Sequence, residues 1–335
     1  MSTSSRIFSL AKYLLLFAIG LLLLWLTFRN ENPREIFDKI KQANFFYVTV
    51  SVFIGFLAFI IRAHRWNMML EPLGYFPKLI NTSYALGIGY FANLAIPRIG
   101  EITRCGTLSK AEKIPFEKLI GTVIIERIID VIMLAFVMML VAILEFDLLK
   151  NFIIEKIIQP MNSSANSQKD NHSLTLFIVI GILLFILFLI FVFKSKNAKA
   201  IREKIISIWN GTIDGLKSIF RMKKTSAYIF YTFLMWFFYF LATYVCFFAF
   251  TPTAQLTAKE GMFILVAGGL GMSAPVQGGI GAYHYIVSQA LMLFGISLTD
   301  GIVFATIVHS FQTFLVILLG CISLVMVFRG KKNKL

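Results

Sequence analysis

Asn93-Leu94-Ala95-Ile96-Pro97-Arg98-Ile99-Gly100-Glu101 and Gly268-Gly269-Leu270-Gly271-Met272-Ser273-Ala274-Pro275-Val276-Gln277-Gly278-Gly279-Ile280-Gly281 break two otherwise apolar stretches with proline, glycine and, in the first, charge. Non-helical backbone at membrane depth is tolerated only when it is buried in protein or lines a wet cavity, because bare amides in hydrocarbon cost about several kcal/mol each. Paired interruptions in the two halves of a membrane chain are the pattern of a transporter-type site.

The rest of the chain says that the surroundings are indeed a membrane. Of 335 residues 58% are hydrophobic and only 15% charged, with a mean hydropathy of +0.79; a soluble domain carries about a quarter charged residues. The formal charge of +15 would suggest nucleic acid in a soluble protein. Here it fits cytoplasmic loops facing anionic headgroups, and no basic patch sits on a soluble domain, so nucleic acid is not an expected partner. Arg6 and Lys12 precede the apolar run from Tyr13 to Phe28, with no small-residue cleavage site after it, which reads as a retained first span. Cys105, Cys246 and Cys321 are odd in number and scattered, and are expected to be small buried apolar residues rather than disulfide or zinc ligands.

Runs long enough to cross a bilayer, about 20 residues each, occur near residues 8–28, 44–64, 119–145, 174–193, 226–250 and 301–327. The stretches Leu79 to Ile96 and Gly261 to Phe294 are apolar but interrupted, and read either as full spans or as re-entrant hairpins. Loop charge orders the topology. Lys194, Lys196, Lys199, Arg202, Lys204, Lys217, Arg221, Lys223 and Lys224 make the loop 194–224 the basic one, while Phe146 to Ser173 is polar and balanced. With the basic loop and both termini cytoplasmic, Leu79 to Lys118 begins and ends inside and Gly261 to Phe294 begins and ends outside. The expected architecture is one all-α integral membrane domain over 1–335, a polytopic bundle with two interrupted or re-entrant hairpins and a possible inverted repeat, supported by Pro-x-x-Gly at Pro97 and again at Pro275. Ile205, Ile208, Trp209, Ile213, Leu216, Ile219 and Phe220 recur at helical spacing within the basic loop, which predicts an amphipathic helix in the inner headgroup layer. Trp25 and Trp66 fall near span ends, as aromatic-belt residues do.

Glu126, Arg127 and Asp130 lie inside an apolar run, where ionisable groups are costly and face the bundle or a wet cavity. Glu126 and Asp130 are four apart and share a helix face, with Arg127 three before Asp130. They form a buried charge network that either binds and relays charge or fixes the first hairpin, with Arg98 or Arg104 as the second cation. Arg98, Glu101 and Arg104 follow Pro97 at helical spacing, and two guanidinium groups at a hairpin mouth suit a phosphate; solvated loop charge is the plainer reading. Arg62 and Arg65, beside Trp66, read as a headgroup-binding rim or as positive-inside anchors. His309 and Gln312 are three apart in the last span, and with His284 they form either interhelical glue or a polar relay. His64, His172, His284 and His309 contain no His-Glu-x-x-His pair and the chain has no P-loop, so neither a metal centre, an ATP motor nor any other cofactor is expected.

Arg62-x-x-Arg65-Trp66, Asn93-x-x-x-Pro97-Arg98-x-Gly100-Glu101-x-x-Arg104, Glu126-Arg127-x-x-Asp130 and Pro275-x-x-Gly278-Gly279-x-Gly281, in that order over nearly the whole chain, resemble the transmembrane, flippase-like region of lysylphosphatidylglycerol synthases and its stand-alone relatives. The resemblance implies a helical membrane fold with re-entrant elements that moves lipids or lipid-linked molecules between leaflets. It does not imply aminoacyl transfer, since the bifunctional relatives carry a soluble catalytic domain after this region, whereas this chain ends at Leu335. Many relatives look like Pro-Gly-Gly-x-Gly followed by a glutamate; here Gln277 precedes Gly278 and His284 stands near the acidic position.

The expected function is therefore translocation of a phospholipid or polyprenyl-phosphate-linked anion without ATP hydrolysis. Arg62, Arg65, Asn93, Pro97, Arg98, Gly100, Glu101, Arg104, Pro275, Gly278, Gly279 and Gly281 frame the headgroup site in this reading, and a separate lipid-modifying enzyme is a possible partner. The expected location is the plasma membrane of a prokaryote, and the chain is not expected to be an enzyme. The alternatives are a non-transporting lipid-binding scaffold for an envelope-synthesis enzyme and, more remotely, a rhomboid-like hydrolase using Ser273 and His309.

Overall fold

The computed structural model describes residues 3–146 and 224–332, with side chains over 15–146 and 224–329. The chain divides into two compact units, residues 1–139 with 219–335, and residues 140–218. The first unit holds all but a few of the described residues. The expected span at 174–193 and the amphipathic helix of 205–220 lie outside the described residues.

Only helices and turns occur among the described residues: α1 Thr3–Phe28, α2 Pro33–Lys41, α3 Phe45–Leu70, α4 Leu79–Ala95, α5 Gly100–Glu112, α6 Phe116–Leu144, α7 Thr225–Phe247, α8 Ala258–Ser273, α9 Ala282–Met292 and α10 Leu298–Lys332. Four stretches, Phe45–Leu73, Phe116–Leu144, Thr225–Phe247 and Leu298–Arg329, are long and apolar enough to cross a membrane, and Leu15–Phe28 is a shorter apolar segment. Local chemistry sets the starts. Asn44 accepts the Phe46 N–H ahead of α3, Asn32 accepts from Arg34 with Pro33 at the first helical position of α2, and Thr257 with Glu260 closes a capping box on α8. Each supplies an acceptor to an otherwise orphaned helix-end amide.

The two interrupted stretches form hairpins. In both, the inward helix stops at the residue before proline, Ile96 at φ −134°, ψ 119° and Ala274 at φ −56°, ψ 142°. Both have left the helical region because the following proline ring clashes with a helical predecessor. With 17 and 13 residues, α4 and α5 are about 26 and 20 Å long; α8 and α9, with 16 and 11 residues, are about 24 and 17 Å long. Each falls short of the roughly 30 Å of a hydrocarbon core, so these helices turn back rather than cross. The α4/α5 hairpin closes at its base against α3: Asn67 donates to the Pro77 carbonyl, and Glu112 receives Lys78 N–H and Asn81 Nδ2.

An inverted repeat is written into this arrangement. Pro97 and Pro275 are 178 residues apart, and the same shift carries α3, α4, α5 and α6 onto α7, α8, α9 and α10 to within a few residues at their starts. The leading helices of the two halves run antiparallel, since Ser51 bonds the Ala242 carbonyl near one end and Tyr228 reaches Met69 at the other. α10 packs along both hairpins. Its early part meets α9, where a side chain on Gly301 would strike Ser288, and its later part meets α4, where one on Gly320 would strike Phe91. Small residues at these crossings let backbones approach in a setting where packing, not water exclusion, drives association.

Candidate functional site

Two groups of polar side chains are buried in this framework. The first gathers on α3, α5 and α6. Arg62, three residues before Arg65, projects from the same face of α3, while Glu126 and Asp130 are one turn apart on α6. Arg62 Nη2 lies 2.5 Å from Glu126 Oε1 and 2.6 Å from Asp130 Oδ2. Arg65 Nη2 donates to Asp130 Oδ1 at 2.6 Å and lies 3.7 Å from Glu126. From α7, Tyr239 and Thr232 accept from Arg62 Nη1 and Arg65 Nη1 at 3.2 and 3.4 Å. Arg127 and Glu101 make a half-exposed outer pair at 3.1 Å.

Arg104 completes the cluster from α5. Its guanidinium sits over the Trp66 ring, 4.7 Å from the centroid, and Nη2 approaches Glu126 Oε2 to 3.0 Å. That contact lacks hydrogen-bond alignment, and Nε and Nη1 have no acceptor among the described residues, although Arg104 is 2% exposed. Three buried arginines thus face two carboxylates.

This geometry revises several expectations. Arg62 and Arg65 do not line an open rim; they are 6% and 0% exposed. Trp66 is no aromatic-belt anchor but is fully buried, its indole N–H donating to Thr122 at 2.9 Å. Trp25, by contrast, is exposed, with Arg29 over its ring. Arg98 and Arg104 do not converge. Arg98 lies in the turn before α5 at φ +64°, exposed and outside the helix, so helical spacing does not hold across it. Arg104, not Arg98, is the further cation of the network. Of the cysteines, Cys105 and Cys246 are buried as expected, but Cys321 is exposed.

Asn93 is the clasp of the first hairpin. Its Oδ1 accepts the Gly100 N–H at 2.7 Å across the Pro97 turn. In the second hairpin Pro275 leads into a short 3₁₀ turn, Gln277–Gly279, with Gly278, Gly279 and Gly281 at φ +57°, +77° and +81°. Only glycine adopts these values without strain. Gly281 packs against Gly20 of α1, and a Cβ on Gly278 would lie 2.9 Å from Leu94 Cδ2. The two hairpin tips are therefore in contact, Leu94 of the first against Gly278 of the second.

The second polar group stands behind that tip. His284 and His309, 6% and 5% exposed, have ring centroids 4.9 Å apart, and His309 Nε2 is 2.8 Å from the Gly278 carbonyl. Tyr283 flanks His309 and Phe28 of α1 flanks His284, whose Nδ1 has no partner among the described residues. Gln312 is half-buried one turn further on and makes no side-chain hydrogen bond among the described residues. The serine–histidine pair of a rhomboid-type hydrolase is not assembled: Ser273 Oγ donates to the Leu270 carbonyl, while His309 is engaged with Gly278. No group of three or more metal-ligating side chains occurs among the described residues. A groove of about 280 Å³ beside α1 is lined by Leu21, Leu24, Trp25 and Phe28.

Long apolar helices, re-entrant hairpins and a buried ionic cluster define a multi-pass α-helical membrane protein. The lysylphosphatidylglycerol synthase TM region matches residues 13–320, and the chain belongs to that family. It is also similar to the UPF0104 membrane protein MJ1595 of Methanocaldococcus jannaschii, 30% identical over 99 residues, which span 29% of this chain and 30% of the relative. The matched segment thus covers less than a third of that protein's length. No solved structure matches the chain.

Proposed function

We propose that this chain is a lipid translocase of a prokaryotic plasma membrane, moving an anionic phospholipid or a polyprenyl-phosphate-linked molecule between leaflets without hydrolysing ATP and without chemistry on the lipid. The observation that carries this reading is the meeting of two part-length hairpins, Leu94 against Gly278, between antiparallel repeats. Transport by rocking one repeat against the other needs such a junction, where a small displacement opens a polar path on one side and closes it on the other. Desolvation of the headgroup is the barrier to unaided crossing, and fixed protein charges and dipoles can replace its water while the tails remain in lipid. Membership of the family supports a lipid-related role, and a separate lipid-modifying enzyme as supplier of the substrate is consistent with it.

The test is reconstitution into liposomes with fluorescent phosphatidylglycerol, phosphatidylcholine or a polyprenyl phosphate, reading dithionite-accessible label over time. Exchange of an anionic lipid should exceed that of empty liposomes. Because Arg98 is an exposed cation at the junction, Arg98→Ala should slow exchange by about tenfold while leaving the melting temperature close to wild type. Saturable lipid binding with no exchange of any of the three would instead make the protein a scaffold.

A further inference from the structure

The two halves repeat one architecture, yet only one is charged. Shifted by 178 residues, Arg62, Arg65, Arg104, Glu126 and Asp130 become Phe240, Thr243, Ala282, Phe304 and Val308. Phe304 and Val308 belong to an apolar core that also includes Phe247, Tyr283 and Ile302. The repeat is thus built once with ions and once with hydrocarbon, so the architecture does not require the ions. Replacing buried ion networks by apolar residues is commonly neutral or stabilising, and retention of the network in the first half calls for another reason.

The charge balance supplies one. Arg62, Arg65 and Arg104 against Glu126 and Asp130 leave one positive charge in excess, since Arg127 and Glu101 offset each other outside. The excess centres on Arg104, none of whose guanidinium nitrogens makes an aligned hydrogen bond, and which is 2% exposed. Arg62 Nε and Arg65 Nε are likewise buried without acceptors among the described residues. A buried, unpaired guanidinium on an indole face is costly to keep empty, and it is complementary to a group with one negative charge and several acceptor oxygens.

We propose that Arg104, stacked on Trp66 and backed by Arg62 and Arg65, is the seat of a single negative charge, the phosphodiester of an anionic lipid headgroup. The proposal rests on the translocase reading for the identity of the lipid, but not for the existence of the seat. The α4/α5 hairpin carries Arg104 and is held to α3 by side-chain hydrogen bonds at its base, so a displacement of this hairpin uncovers the seat.

The full chain, purified in detergent, is titrated with dihexanoyl phosphatidylglycerol, dihexanoyl phosphatidylcholine and inorganic phosphate, following Trp66 by the fluorescence difference between wild type and Trp66→Phe and following binding by native mass spectrometry. Phosphatidylglycerol should bind saturably and at least about tenfold more tightly than phosphatidylcholine, with Arg104→Gln weakening it about tenfold or more. Lys118→Gln, which removes an exposed charge near the start of α6, should bind as wild type. Equal affinity for the two lipids overturns the proposal, as does a folded Arg104→Gln protein that binds as wild type. Inorganic phosphate binding as tightly as phosphatidylglycerol overturns the lipid assignment. If Arg104→Gln does not fold, the wild-type preference between the two lipids decides. Headgroup-selective binding without leaflet exchange would remove the translocase reading and leave the seat, whereas exchange that persists unchanged in Arg104→Gln would remove the seat and leave the translocase.

Discussion

Glu126 has three guanidinium groups within 2.5 to 3.7 Å and no exposed side-chain surface. Removing its charge leaves those cations buried with Asp130 as their one remaining carboxylate. Glu126→Gln should therefore lower stability by about 3–5 kcal/mol. Arg127→Gln breaks a pair in which the arginine is 41% exposed, where about 0–1 kcal/mol is expected. Denaturant unfolding of the two variants in the same micelles checks the ordering, and equal losses would refute it. The members of this network were legible because charges inside an apolar run must find partners. Their assignment was less so. The periodicity that grouped Arg98 with Glu101 and Arg104 assumes one helix, and α5 begins only at Gly100. Trp66 was misread because hydropathy registers an apolar ring without telling lipid from protein as its neighbour.

At the scale of the elements, the hairpins depend on backbone contact. A Cβ on Gly100 would fall on the Gly89 carbonyl oxygen and within 2.7 Å of Asn93 side-chain atoms, whereas one on Gly106 of the same helix meets nothing within 4 Å. Gly100→Ala should force α4 and α5 apart, weaken the Asn93 clasp and lower the melting temperature. Gly106→Ala should be neutral or stabilising by up to about 1 kcal/mol through helix propensity. Thermal melts of the pair decide whether the close approach or merely glycine content matters. Proline and glycine announced both hairpins in the sequence, because they act locally. That α10 packs along both, and that Leu94 meets Gly278, is tertiary and leaves no local mark. The repeat was visible as a shared Pro-x-x-Gly, but the constant offset emerged only once helix boundaries were fixed, since the two halves share packing rather than residues.

Across the whole molecule, translocation by rocking requires the second hairpin tip to move relative to α1. An ideal Cβ on Gly20 lies 3.5 Å from Val276 Cβ, at the short end of disulfide geometry, where Cβ atoms are about 3.5–4.5 Å apart. A Gly20→Cys, Val276→Cys protein, made with Cys321→Ser because Cys321 is exposed, should cross-link under mild oxidation. Leaflet exchange should stop in the oxidised protein and return on reduction. Unimpeded exchange in a fully cross-linked sample would show that this tip is static during transport.

The charge that distinguishes one repeat from its twin has a kinetic meaning as well. A carrier whose two halves matched in charge would treat its two faces alike, but a cationic seat in one half makes the conformers open to each face unequal in affinity. With no energy input, detailed balance forbids that inequality from shifting the final distribution of lipid. It must appear instead as different half-saturating lipid densities on the two leaflets, each offset by its own maximal rate, so that the rectification is visible in initial rates and absent at equilibrium.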